Sequence, residues 1–302
     1  MMMDIQSVLK EIPYFAGRQL NAKRINGGIT NENWCVSDHD SGAKYFLKVH
    51  GKGTENYINR ATALKAATIA AEKGIGPGVL FHDEQMGVEV HEFLIGYRSC
   101  DIIDVQDKSI LNNIMSSYHM IHSDLILDEE NTGFHQLDAL VQQSKQHCPE
   151  LPKDIEYLLS QCNKARSAIE AAGIDLCGCF NDSYVSNFMR NDDGGIKFID
   201  WEYASNNDPY WDVALFCIES FHDDVSNIET IIEMYNGRPM PEQVARTYLY
   251  IGVVLVRWGL WALTQQYISS ISFDYGKYSQ ALLFRARKQM MNSNWDWALK
   301  TV

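Results

Sequence analysis

The stretch from Cys179 to Glu219 reads CFNDSYVSNFMRNDDGGIKFIDWEYASNNDPYWDVALFCIE, and its reading decides the fold. Asp182 stands five residues before Asn187, and an apolar run from Ile196 to Ile199 then delivers a second aspartate, Asp200. Short apolar segments around Phe188 and Ile199, with Asp192-Asp193-Gly194-Gly195 between them, predict a hairpin. Such a hairpin brings Asn187 and Asp200 to the same end. A carboxylate for a hydroxyl proton, with an amide and a second carboxylate to hold Mg2+ on phosphates, is the set that phosphoryl transfer needs. For an isolated D-x-x-x-x-N, two acidic loops beside a hairpin are the plain alternative. The continuation argues against coincidence: Asp200-Trp201-Glu202-Tyr203, then Asn207-Asp208-Pro209-Tyr210-Trp211-Asp212. Within it, Asp208-Pro209 reads as the N-cap and first residue of a helix, a structural role.

The whole chain sets the bounds. At 302 residues it is long enough for two lobes with substantial cores. Its 46% hydrophobic and 22% charged residues are an ordinary globular balance. The net charge of −13 argues against a nucleic-acid partner but is compatible with a nucleotide held by local lysines and a metal. The N-terminal MMMDIQSVLKEIPYF lacks the basic start and apolar core of a signal peptide. The longest apolar run, Tyr248 to Val256, is too short to span a bilayer, so no membrane insertion is expected. Seven cysteines without a disulfide-framework spacing suit reduced thiols in a cytoplasm. Cys177 and Cys179 form only C-x-C and read as strand or core residues rather than a structural metal site. Oligomeric state stays open, a homodimer included.

Periodicity divides the chain unevenly. Short β-like runs fill the first third: Leu20–Ile25, Asn33–Val36, Tyr45–Val49, Val79–His82 and Val88–Leu94, interrupted by an alanine-rich helix from about Glu55 to Lys73. After Gly96, helices are predicted near 102–123, 136–146, 153–172, 209–220, 241–266 and 275–291. Three further features carry chemistry. Asn26-Gly27-Gly28-Ile29-Thr30-Asn31, between two strands, is either a hairpin turn or a loop whose backbone approaches phosphates. Lys48, at the end of the third strand, is either solvated or a phosphate partner. Trp258 and Trp261, three apart on one helix face, are either core or a cation-facing pair.

These residues resemble the aminoglycoside phosphotransferase and choline kinase superfamily, and within it the choline/ethanolamine kinases, from about Asn26 to the C-terminal helices. Their catalytic loop reads H-N-D-x-x-x-x-N and their metal loop I-D-[WF]-E-Y. The resemblance implies a protein-kinase-like, two-lobed α+β fold. Residues 1–95 would form a nucleotide-binding lobe, an antiparallel five-stranded sheet with one helix, and residues 96–302 a mainly helical lobe. It implies that Asp182 is catalytic and that Asn187 and Asp200 bind Mg2+. Gly28, Thr30, Asn31 and Lys48 would face the phosphates of ATP, and the backbone of Glu92 to Leu94 the adenine. The segment from Trp258 through Tyr278 matches the choline kinase pattern, so Trp258, Trp261 and Tyr278 would form an aromatic cage for a small cationic amino alcohol. Glu219 would stand near its amine, and Glu202 near metal or substrate. The implied activity is phosphorylation of choline or a similar amino alcohol; a kinase for ethanolamine, thiamine or an amino sugar, or a weak pseudokinase-like binding protein, is the alternative. Two departures stand out: Phe180 replaces the family histidine, and Ala63 occupies the position of the helix glutamate that pairs with the lysine. Glu55, two turns earlier, is the candidate substitute. The expected consequence is weaker preorganisation with the chemistry retained.

Overall fold

A computed structural model of the chain describes residues 4–25, 31–51, 58–269 and 273–302. Gly28, Thr30 and Glu55 lie outside the described residues. A short helix α1 (Ile5–Glu11), capped by the Asp4 side chain, precedes the first sheet. Strands β1 (Leu20–Ile25), β2 (Glu32–Asp38), β3 (Lys44–Val49), β4 (Val79–Asp83) and β5 (Val88–Glu92) form a five-stranded sheet in the order β1-β2-β3-β5-β4. Every pairing in it is antiparallel. Helix α2 (Arg60–Glu72) crosses from β3 to β4, with Asn59 as N-cap. Leu47, Val49, Val88 and Val90 of the sheet pack with Leu9, Ile12 and Phe15 in a small apolar cluster.

The chain leaves this sheet at Glu92. Strand β6 (Tyr97–Ser99) then pairs with β8 (Phe188–Asn191), which pairs with β9 (Ile196–Phe198). Helices α3 (Lys108–Asp124), α4 (Gly133–His147) and α5 (Ile155–Ala172) follow β6. Strand β7 (Cys177–Cys179) pairs with β10 (Ser205–Asn207). Beyond β10 come α6 (Pro209–Glu219), α7 (Val225–Asn236), α8 (Pro241–Ile268), α9 (Tyr275–Met290) and α10 (Ser293–Thr301). By length and composition α8 would pass for a membrane span, yet 83% of its most apolar window is buried inside the protein. It is the core helix around which the others pack.

Boundaries differ from the periodicity where side chains compete for the backbone. The third helix starts at Lys108, not near residue 102, because Asp104 is already engaged. Its carboxylate accepts hydrogen bonds from the guanidinium groups of Arg98 and Arg190 and from Asp101 N–H, holding residues 101–106 as a turn. Asp107 then caps α3 through Ser109 N–H at 2.7 Å. Helix α7 was not anticipated, although its signals are in the sequence: the Asp224 cap and Gly237 at φ 75°, a conformation that favours glycine.

Gly259 sets how closely α8 and α9 approach. A Cβ there would lie 2.6 Å from Leu283 Cδ2 and 2.7 Å from Cγ. Gly259→Ala should therefore cost about 1–3 kcal/mol by overpacking, read as a lower denaturation midpoint. A midpoint equal to that of the wild type would show that the two helices have slack.

Candidate active site

The hairpin of β8 and β9 sets the two ends of the site side by side: Ile199 N–H donates to the Asn187 carbonyl at 3.0 Å. Asn187 closes back on its own loop, where its Nδ2 donates to Asp182 Oδ2 at 2.9 Å. Asp182 and Asn187 are thus locked together, and the Asn187 carboxamide oxygen is left for other use. Asp200 sits at φ 69°, a conformation unusual for a residue with a side chain and of order 1–3 kcal/mol in cost. It aims its carboxylate at Lys48, whose Nζ lies 2.6 Å from Asp200 Oδ1.

Burial pushes the Asp182 carboxyl up to about 8, and the nearby Asp200 charge adds to this, while Arg257 and the Asn187 hydrogen bond pull the other way. Asp200 is raised as well, by burial first and by the charges of Glu202 and Glu89, against the pull of Lys48. The Asp200 carboxylate and the Asn187 carboxamide oxygen, at the two ends of one hairpin, are the kind of oxygen donors that fit a hard divalent cation such as Mg2+.

Lys48 is buried at the end of β3. Burial disfavours its charge, but Asp200, Glu202 and Glu89 outweigh that and keep it protonated. Its second partner is Glu202, at 3.2 Å. Glu202 also accepts from Arg60 at 2.7 Å and from Asn31 Nδ2 at 2.9 Å. Through this one oxygen Glu202 ties Lys48, α2 and Asn31 together, on the same lysine as Asp200. Ala63 is buried on α2, and Lys48 has two carboxylates in contact, Asp200 and Glu202. On the adenine side, Glu92 N–H is spent on the Gly78 carbonyl at 2.8 Å and the Leu94 carbonyl on Tyr97 N–H at 3.4 Å. The Glu92 N–H is thus committed within the protein, while the Leu94 carbonyl keeps a second lone pair.

Phe180 is fully buried, its ring 4.9 Å from Trp201 and 5.4 Å from Phe198. Its neighbour is polar and engaged: Asn181 Nδ2 donates to the Tyr203 carbonyl at 3.0 Å and to Ser205 Oγ at 2.8 Å. The loop itself hangs on Asp212, whose oxygens accept from Phe180 N–H and Asn181 N–H, both at 2.7 Å. His122 of α3 completes this strut, with Nε2 3.0 Å from Asp212 Oδ2 and Nδ1 2.7 Å from Tyr235 Oη. Ligand atoms of His122, Cys179 and Asp212 lie within 4.8 Å of one another. Both Asp212 oxygens are already committed to protein donors, so the cluster is a brace rather than a cation site.

Across Asp182 from the phosphate side lies an aromatic wall. The Trp258 and Trp261 rings are 5.3 Å apart at 81°, Trp261 meets Tyr275 at 5.9 Å, and Phe273 links Tyr275 to Tyr278 at 4.9 and 5.9 Å. Trp258 does not offer both faces, because the Arg257 guanidinium lies 3.8 Å from its ring centroid. Glu219 ends α6 beside Tyr278 and Asp182, close enough that its charge raises both. Burial pushes the Glu219 carboxyl up to about 7, with Arg285 pulling it down. Sequence reasoning named Asp182, Asn187, Asp200, Lys48 and Glu219, and the fold sets Asn187 against Asp182, Lys48 against Asp200, and Asp200 and Glu219 near enough to act on the Asp182 carboxyl. It missed Arg60, His122, Asn181, Asp212 as an anchor, and Arg257. Of these only Asn181 and Asp212, next to recognised motifs, carried a signal.

Known proteins resemble this chain over most of its length. A family model described as choline/ethanolamine kinase matches residues 22–251. The chain is 27% identical to a probable choline kinase 3 of Arabidopsis thaliana, over 86% of this chain and 84% of that one. It is 23% identical to ethanolamine kinase 2 of Rattus norvegicus, over 88% and 75%. Among solved structures, a choline/ethanolamine kinase family protein from Mesorhizobium loti superposes with a TM-score of 0.85 at 24% identity, covering 99% and 97% of the two chains. The choline kinase LicA of Streptococcus pneumoniae gives 0.80 at 24% identity, covering 96% and 99%, and LicA has also been solved in complex with AMP. The fold is protein-kinase-like. This chain belongs to the choline/ethanolamine kinase family, and with it to the phosphotransferases that act on a small alcohol.

The Asp212 strut can be tested directly. Asp212→Ala would leave two buried N–H groups without acceptors, at about 1–3 kcal/mol each. The variant should lose about 2–6 kcal/mol on chemical denaturation. Unchanged stability would show that water or another acceptor replaces the carboxylate.

Proposed function

We propose that the protein is an ATP- and Mg2+-dependent kinase that phosphorylates the hydroxyl of choline or a closely similar amino alcohol. The observation that carries this reading is the position of Asp182. It is held by Asn187, opposed by Asp200 on the phosphate side, and adjoined on the other side by Glu219 and Tyr278. A substrate with a hydroxyl at one end and a cationic nitrogen at the other suits that span. Thr30 and Gly28 are proposed for the phosphates on resemblance alone.

The residues divide the work. Asp182 orients the substrate hydroxyl and takes its proton late, since a loose transition state asks for little proton transfer early. Its raised affinity for a proton suits that acceptor role. Asn187 and Asp200 would hold Mg2+, which when bound neutralises charge on the transferring phosphoryl group. Lys48 turns from Asp200 toward the phosphates. The aromatic rings attract the quaternary ammonium by their quadrupoles, roughly 0.5–2 kcal/mol each, and Glu219 supplies the opposite charge. The free thiols at all seven cysteines support a reducing cytoplasm, and we place the division between the lobes near residue 95.

The decisive assay is ADP formation from Mg·ATP with choline, ethanolamine, thiamine and an amino sugar. Turnover highest with choline or ethanolamine supports the reading, and none with any acceptor refutes it. Asp182→Asn should lower kcat by at least about a hundredfold, in line with loss of a positioned base, while nucleotide affinity changes only a few-fold. Wild-type turnover in this variant would remove Asp182 from the mechanism.

Glu219 gives a pH test with a worked sign. Its carboxyl, near 7, is neutral below that pH and anionic above it. Choline carries a fixed charge, so its KM should fall as pH rises from 6 to 8, and binding on the acid side should release a proton. Glu219→Gln should raise KM and flatten its pH profile. A wild-type KM independent of pH would exclude Glu219 as the partner of the cation.

A further inference from the structure

One oxygen, Glu202 Oε1, is shared by donors from three elements. Asn31 Nδ2 reaches it at 2.9 Å from the start of β2, Lys48 Nζ at 3.2 Å from β3, and the Arg60 guanidinium at 2.7 Å from the first residue of α2. Arg60 is only 6% exposed. A cation in that place is doubly disfavoured, by lost hydration and by the partial positive charge at a helix N-terminus. A carboxylate in contact offsets both, and Glu202 is that carboxylate.

Charge counting around Lys48 shows what Arg60 adds. Among the described residues, Lys48 and Arg60 stand with Asp200 and Glu202, two cations against two carboxylates, with Glu89 close by. Without Arg60, Lys48 alone would balance Asp200 and Glu202. The carboxylates would then grip the lysine harder, and their excess charge would oppose an entering polyphosphate.

We propose that Arg60 is a positioning residue that acts through Glu202, neutralising and orienting it so that Lys48 can exchange Asp200 for the phosphates of a bound nucleotide. This rests on the ATP reading above. Helix α2 thus steadies the lysine by a cation–carboxylate–cation bridge, with Ala63 at the position where a direct carboxylate partner would stand.

The test is a double-mutant cycle on the full chain, read by the affinity for Mg·AMP-PNP, the choline KM and the melting temperature. Arg60→Met should weaken Mg·AMP-PNP by about tenfold or more, and Arg60→Lys by less. The choline KM should stay within about twofold, a split that a general loss of structure would not give. In a Glu202→Gln background, Arg60→Met should add less than about twofold, because its route of action is already gone. Wild-type affinity in Arg60→Met, or the same loss with and without Glu202→Gln, would overturn the proposal. If Arg60→Met does not fold, the same cycle with Arg60→Lys decides: its smaller loss must vanish in the Glu202→Gln background, and persistence or absence of loss overturns the proposal. A wild type that binds no Mg·AMP-PNP would overturn the ATP reading itself, and this proposal with it. Binding by the wild type with an additive cycle would overturn this proposal alone.

Discussion

The rest of the site depends on the Asp212 carboxylate. It is fully buried in the first turn of α6 and accepts the N–H groups of Phe180 and Asn181, the two residues before Asp182. A buried charge without partners would be untenable, so the carboxylate and the loop define each other's position. His122 closes the same network from α3. Helices α3 and α6 and strand β7 therefore meet at one point, and Asp182 projects from the loop they hold. Because helices carry this anchor, loop geometry is inherited from the rigid part of the fold.

A second hub organises the opposite side of the cleft. Glu202 links Asn31, Lys48 and Arg60, so groups from the antiparallel sheet and from α2 converge on the segment that follows β9. The two hubs are themselves connected, because Asn181 donates to the Tyr203 carbonyl, one residue beyond Glu202. Phe180, which stands where the family has histidine, sits at this connection. The ring fills the aromatic packing with Trp201 and Phe198, and the polar bond to the metal loop runs through Asn181. Likewise Ala63 does not leave Lys48 without carboxylates, since Asp200 and Glu202 both reach it.

The pocket side shows how a stripe of aromatics divides its duties. Trp258 and Trp261 are both partly buried, so packing and ligand contact are not exclusive for them. Arg257 lies over Trp258 and also influences Asp182, which couples the aromatic wall electrostatically to the reacting end of the cleft. The acidic group at this wall, Glu219, has its carboxyl pushed up to about 7 by burial, against the pull of Arg285.

Much was legible in the sequence because it was local. The five strands and the position of α2 follow from short-range alternation, glycine punctuation and an alanine-rich run. The hairpin that joins Asn187 to Asp200 follows from its apolar arms and acidic-glycine turn, and the catalytic set is written at fixed spacing within one segment. Helix boundaries were less legible where a carboxylate such as Asp104 captured the backbone first. What only the tertiary structure decided involves partners far apart in sequence: Arg60 and Glu202, 142 residues apart, and His122 and Asp212, 90 apart. No periodicity or spacing marks such pairs. An arginine at a helix start or a histidine near a helix end reads as solvated until the fold buries it, and burial then obliges each to find an opposite charge or a hydrogen-bond partner.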